Sequence, residues 1–183
     1  MQENVKGVAI SLEGKNAIVT GGGGGMGRCT ALMLAAAGAN LVVSDVNAET
    51  AEATAREAIE KYGVKAVATK CNVTVKSEVD AMVELSVKTL GRIDILNHVA
   101  GVFGAVDFMK STEADYDKQM DINAKGTYFV DQAVLRIMIP NRAGKIVNMC
   151  SQAGKYGFHT NVAYTASKFA VAGMTQSIAQ YAA

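Results

Sequence analysis

Five consecutive glycines, Gly21 to Gly25, follow the apolar run NAIVT (Asn16 to Thr20) and lead through Met26 and Gly27 into an apolar, alanine-rich stretch. Backbone without Cβ atoms lets N–H groups approach an anion closely, and a helix opening here would aim its N-terminus at the same point. The pattern suits a dinucleotide pyrophosphate better than a loose linker, which would not stand between a strand and a helix of one βαβ unit. Asp45 lies 20 residues after Gly25, at the end of a second apolar run. A carboxylate there can accept hydrogen bonds from an adenosine ribose diol and repel a 2′-phosphate. Gly24 and Val46 are uncharged, so NAD is favoured over NADP. Further along, Tyr164 and Lys168 stand four apart, on one face of a helix, and Ser151 precedes them. A free phenol is a poor base at neutral pH, but an adjacent ammonium and an oxidised nicotinamide favour its phenolate. Such a group takes a hydroxyl proton as hydride leaves the same carbon, with Ser151 bonding the substrate oxygen and Lys168 also holding ribose hydroxyls. Tyr-x-x-x-Lys alone is more often a surface pair, and the glycine loop is what gives it weight.

Short β-branched runs alternate with longer helical stretches, which places these residues in an α/β fold. Strands are expected at 16–20, 41–44, 65–70, 93–99 and 145–149. Helices are expected at 27–37, 48–62, 77–90, 113–139 and from 163 onward. Asn47 is the expected N-cap of the second helix; Gly38, Gly63, Gly91 and Pro140 mark helix ends. Runs such as IVT, LVVS and IDIL read as strands buried on both faces. The expected architecture is a doubly wound parallel sheet, a Rossmann fold, with all the polar residues above at its carboxyl edge. Five strands are counted where this fold calls for six. Residues 1–183 are therefore expected to form a single NAD-binding domain, truncated after the helix carrying Tyr164 and lacking the last strands and the substrate cover.

Eighteen Lys and Arg against 17 Asp and Glu give a net charge of +1, too weak a field to gather nucleic acid or membrane phosphates. No run is long enough to span a membrane, and the start of the chain has no signal-peptide pattern. Three dispersed cysteines, Cys29, Cys71 and Cys150, fit a reducing compartment, with cytoplasm the expectation. His98 and His159 lack metal-site spacing, so no metal is expected. Met26, Met82, Met138, Met149 and Met174 read as core filler, and Cys150 as a small buried hydrophobe.

Taken with CNVT (Cys71 to Thr74), HVAG (His98 to Gly101), MDINAKG (Met120 to Gly126), IVNMCSQAG (Ile146 to Gly154) and YTASK (Tyr164 to Lys168), the loop TGGGGGMG and Asp45 make the chain resemble the short-chain dehydrogenase/reductase family over nearly its whole length. The resemblance implies Tyr164 as general acid/base, Lys168 as its activating partner and ribose ligand, Ser151 as substrate orienter, and Asn123 as holder of a proton-relay water. It implies a cofactor cradle of Gly21, Gly25, Met26, Gly27, Asp45, Asn72, Val73, Val99, Ala100 and Gly101, together with Tyr164 and Lys168. It also implies a homodimer or homotetramer packed through the helices of Asn123 and Tyr164. The family's Asn-Asn-Ala-Gly stands here as His98-Val99-Ala100-Gly101, which removes two amides that tie the central strands, and Asn72 replaces a frequent Asp. SQAG after the fifth strand resembles members acting on polyols and vicinal diols. The expected activity is NAD-dependent interconversion of a secondary alcohol and its ketone, with a small molecule as partner. The alternatives are a 3-oxoacyl-thioester reductase and a catalytically silent NAD-binding protein. A methyltransferase would share the glycine loop and the strand-end acid but has no use for Ser151, Tyr164 and Lys168.

Overall fold

The apolar runs become the three inner strands of the sheet because helices cover them on both sides. The computed structural model describes residues 10–183. Five parallel strands, β1 (Asn16–Thr20), β2 (Asn40–Asp45), β3 (Ala66–Lys70), β4 (Ile95–His98) and β5 (Lys145–Asn148), lie in the order β3-β2-β1-β4-β5. Alternate residues serve opposite layers. Ala17, Val19, Leu41 and Val43 pack with the small residues Ala31, Ala35, Ala51, Ala55 and Ala58 of α1 (Gly25–Ala36) and α2 (Ala48–Tyr62). Ile18, Val42 and Leu96 pack with Val79, Met82 and Val83 of α3 (Lys76–Leu90) and with Val130, Val134 and Met138 of α5 (Gly126–Met138). The last helix, α6 (Val162–Tyr181), carries Tyr164 and Lys168.

Local signals end these elements as the residue types require. The Asn47 side chain accepts from Glu49 N and Thr50 N at the start of α2, and Gly63 closes that helix at φ +68°. The fourth strand, Ile95–His98, is shorter than the 93–99 expected; Asp94 just before it still bonds Asn16 O and Lys145 N through its backbone, while its carboxylate receives the Asn16 N–H and Arg92. The helix expected over 113–139 is broken in phase. A capping box of Thr112 and Asp115 starts α4 (Glu113–Gln119), a π-helical segment follows at Met120–Lys125, and α5 resumes at Gly126. Hydrophobic spacing within each half obscures the extra residue between them. Met82 and Met138 are buried as expected, but Met26 is 63% exposed, because the first turn of α1 points it away from the sheet. At the carboxyl edge the apolar runs give way to one line of polar residues in register: Ser44, Thr20, His98 and Asn148 on β2, β1, β4 and β5.

Candidate active site

The turn from β1 into α1 is built around glycines for separate reasons. Gly21 has φ +66°, and a Cβ there would lie 2.9 Å from the Ala100 backbone; one on Gly27 would strike the Gly21 carbonyl. Gly25 has φ +49°, and apart from its own helix turn no atom of the described residues lies within 4 Å of the place a Cβ would take, so its bare side faces open space. Gly24 caps α1 with no side-chain hydrogen bond, which leaves first-turn N–H groups to an incoming anion. Asp45 organises this loop as well as ending β2. Its Oδ2 accepts from Gly23 N at 3.0 Å and its Oδ1 from Asn47 N at 3.0 Å. Arg28 of α1 is paired with Glu57 of α2, and Val46 beside Asp45 is 61% exposed. Asn72 forms an Asx turn, its Oδ1 accepting from Thr74 N and Thr74 Oγ1. Val73 turns its side chain into the core against Gly126, so what it offers a nucleotide is backbone.

The tie between the central strands survives the loss of the family's amides in another form. Thr20 Oγ1 accepts from Val99 N at 3.2 Å and Ala100 N at 3.3 Å and lies 2.7 Å from His98 Nδ1. With both backbone donors on its oxygen, the Thr20 hydroxyl donates to Nδ1, which assigns the neutral tautomer with its hydrogen on Nε2. Burial, with Lys168 adding to it, pushes the His98 imidazole down to about 3. His98 is thus a permanently neutral pin that holds Val99 and Ala100 against the glycine turn.

The second group converges where β5 ends. Ser151 Oγ accepts from Ala153 N at 3.1 Å and caps a 3-10 turn, Gln152–Gly154, which leaves its hydrogen for a substrate oxygen. Lys168 is 5% exposed; its Nζ donates to Met149 O at 2.8 Å and lies 5.8 Å from the Tyr164 ring centroid. Burial pushes the Lys168 ammonium below the usual lysine range. Asn123, in the π segment, accepts from Val102 N at 2.8 Å and donates to Val102 O at 2.9 Å and to Ser167 Oγ at 3.0 Å. Its own carbonyl accepts from the Thr127 hydroxyl at 2.6 Å. A Cβ on Gly101 would lie 3.0 Å from Asn123 Oδ1 and 3.6 Å from Lys168 Nζ, so three separate stretches of chain meet there. Cys150 beside them is half-buried, with its Sγ 3.4 Å from Lys168 O.

The short chain dehydrogenase family matches residues 15–183. The chain belongs to that family. It is 38% identical over 169 residues to a 5-keto-D-gluconate 5-reductase of Escherichia coli (strain K12), covering 92% of this chain and 66% of that protein. It is 36% identical over 171 residues to a 3-oxoacyl-[acyl-carrier-protein] reductase of Thermotoga maritima, covering 93% and 69%. The solved structure of an NAD+-bound xylitol dehydrogenase superposes with a TM-score of 0.90 at 36% identity, over 93% of this chain and 65% of that one. The chain therefore spans about two thirds of the length of these relatives. This short-chain dehydrogenase chain also uses residues that motif reading passed over: Thr20, whose hydroxyl gathers three partners; Gln119, one turn before Asn123 and 5% exposed; and Phe103, whose ring stands edge-on to Tyr164. Phe103 gave a faint signal as an aromatic two residues beyond Gly101, and Gln119 as an amide four residues before Asn123 on the same helical face.

Proposed function

We infer that the protein interconverts a secondary alcohol and its ketone with NAD, and that polyols or vicinal diols are its substrate class. The observation that carries this is Lys168, buried and held by Met149 O beneath the Tyr164 ring, on the sheet edge that also holds the glycine turn. Gly21, Gly25, Met26 and Gly27 would hold the pyrophosphate at the start of α1. Asp45 would hold the adenosine ribose, Asn72 and Val73 the adenine, and Val99 to Gly101 the nicotinamide half. The dinucleotide supplies the hydride acceptor. Ser151 donates to the substrate oxygen, Tyr164 takes the hydroxyl proton as the phenolate that the Lys168 ammonium favours, becoming a neutral phenol, and Lys168 also holds ribose hydroxyls. Asn123 sets the floor of this space by fixing Val102 and would carry a relay water toward Lys168.

Asp45 at the end of β2, with its carboxylate held by Gly23 N and Asn47 N where a ribose diol would lie, supports NAD over NADP. The three cysteines, all free, support a reducing compartment such as cytoplasm. Among the described residues no helix is long and apolar enough to cross a membrane. Exposed Tyr128 on α5, Ile139 just past its end, and Phe169 and Tyr181 on α6 support a homodimer or homotetramer packed through those helices. The test is Tyr164→Phe, assayed by NADH formation on a panel of secondary alcohols, diols and polyols, with reduction of a 3-oxoacyl thioester alongside. Turnover should fall at least about a hundredfold while NAD binding persists. Retention of most of the turnover would refute the assignment, and preference for the thioester would move the substrate class.

A further inference from the structure

The loop after β4 is fixed more firmly than an exposed connection needs. The Val102 N–H donates to Asn123 Oδ1 at 2.8 Å, and the Val102 carbonyl accepts from Asn123 Nδ2 at 2.9 Å. Gln119, one helical turn away, donates to the same carbonyl at 3.1 Å and accepts from Gly104 N at 3.0 Å. A Cβ on Gly104 would run into the Gln119 amide, so the backbone passes tight against that side chain. Two buried amides thus hold the peptide groups on both sides of one residue, Phe103. Its ring meets the Tyr164 ring edge-on, with centroids 5.0 Å apart and planes at 84°. Even so, 64% of Phe103 remains exposed. The clamp gains little apolar burial, and what it achieves is to present an aromatic face in a fixed place beside Tyr164.

Resting on the reading of Tyr164 as the proton-transfer residue, we propose that Phe103 is a specificity-determining wall of the substrate site. Its free face packs against the C–H side of the carbon chain next to the reacting carbinol, so uncharged secondary alcohols are accepted. A substrate with a carboxylate or phosphate at that position would lose water from its charge against an apolar ring with no compensating partner. The chain therefore favours neutral polyols over sugar acids of equal length.

The experiment compares kcat and KM for a neutral hexitol and the aldonate of the same carbon number in the purified protein and in Phe103→Ala, Phe103→Leu, Phe103→Tyr and Phe103→Arg, with NAD affinity measured in each. Phe103→Ala should raise the hexitol KM about tenfold with kcat nearly unchanged, and Phe103→Tyr should retain the native KM. Phe103→Arg should swing the ratio of kcat/KM toward the aldonate by about a hundredfold. NAD affinity should stay constant throughout, which loss of fold would not allow. Phe103→Leu, close in volume, supplies the comparison where Phe103→Ala misfolds. A hexitol-to-aldonate ratio that stays within about twofold across the variants would overturn the proposal. Absence of turnover on any secondary alcohol by the unmutated protein would instead refute the reading on which it rests.

Discussion

Asp131 on α5 is fully buried and receives one hydrogen bond, from Asn148 Nδ2 to Oδ2 at 2.8 Å. The same Asn148 nitrogen also donates to Thr175 Oγ1 on α6, so the cluster links α5, β5 and α6. Among the described residues Asp131 Oδ1 and Asn148 Oδ1 are both buried without a partner, two acceptors lacking a donor. Burial, only partly opposed by the Asn148 bond, pushes the Asp131 carboxyl up from 3.8 to about 6. At about 1.4 kcal/mol per tenfold change in proton affinity, the ionised carboxylate costs the fold about 3 kcal/mol. The folded chain binds this proton more tightly than the unfolded chain does. Its contribution is therefore most favourable below pH 3.8, declines as pH rises through 6, and is flat above that. Asp131→Asn removes the charge, keeps an oxygen for Asn148 Nδ2 and places an N–H donor where none exists. Urea unfolding of both proteins from pH 4 to 8 should show equal stability near pH 4 and an advantage for Asp131→Asn that grows to about 3 kcal/mol above pH 7. A difference that does not change with pH, or a variant less stable at pH 8, would refute this account of the cluster.

His98 titrates in the opposite sense: its folded-state pKa lies near 3 against 6.5, so the stability of the neutral pin is lost as pH falls below 6.5. His98→Asn, whose oxygen can still accept from Thr20, should lose about 3 kcal/mol less between pH 6.5 and 4 than the native chain in the same unfolding assay. Gly25→Ala, with open space around its Cβ, should cost about 1 kcal/mol of stability for the left-handed backbone yet weaken NAD more than about tenfold by calorimetric titration. Gly27→Ala meets the Gly21 carbonyl, so its thermal transition should fall along with binding. Asp45→Ala combined with Val46→Arg should narrow or reverse the preference for NAD, checked by kcat/KM with both cofactors, since Val46 already points to solvent.

The strands were legible because β1 and β2 are buried on both faces and have no polar alternation to blur them, and α2 because Asn47 and Gly63 are local caps whose effect needs no tertiary partner. The glycine turn was legible for the same reason: its demands are set by neighbours close in sequence and by one strand. What escaped was set at long range. His98 reads as a departure from motif until Thr20, 78 residues earlier, is brought to its Nδ1. Asn123 was picked out through resemblance, but its grip on Val102 depends on a helix irregularity that apolar spacing does not mark. Phe103 was an unremarked aromatic until two amides on another element aimed it at Tyr164.

The π segment has a consequence for which changes of length this helix tolerates. A π turn spreads one extra residue over the angle of a regular turn, so removing one from Met120–Lys125 would restore a regular helix with α4 and α5 in nearly their present phase, and the loss would fall on the backbone that places Asn123. A residue advances an α-helix by about 100°, so a deletion in the first turn of α5 instead would turn Val130, Val134 and Met138 out of the core and take Asp131 from Asn148. Substitutions along this stretch act on single contacts, whereas a one-residue deletion acts on phase or on Asn123 according to which side of Lys125 it falls. The two halves are geared to different neighbours, α4 to the loop above Tyr164 and α5 to the sheet, and the six residues between them are the coupling that lets both mesh at once.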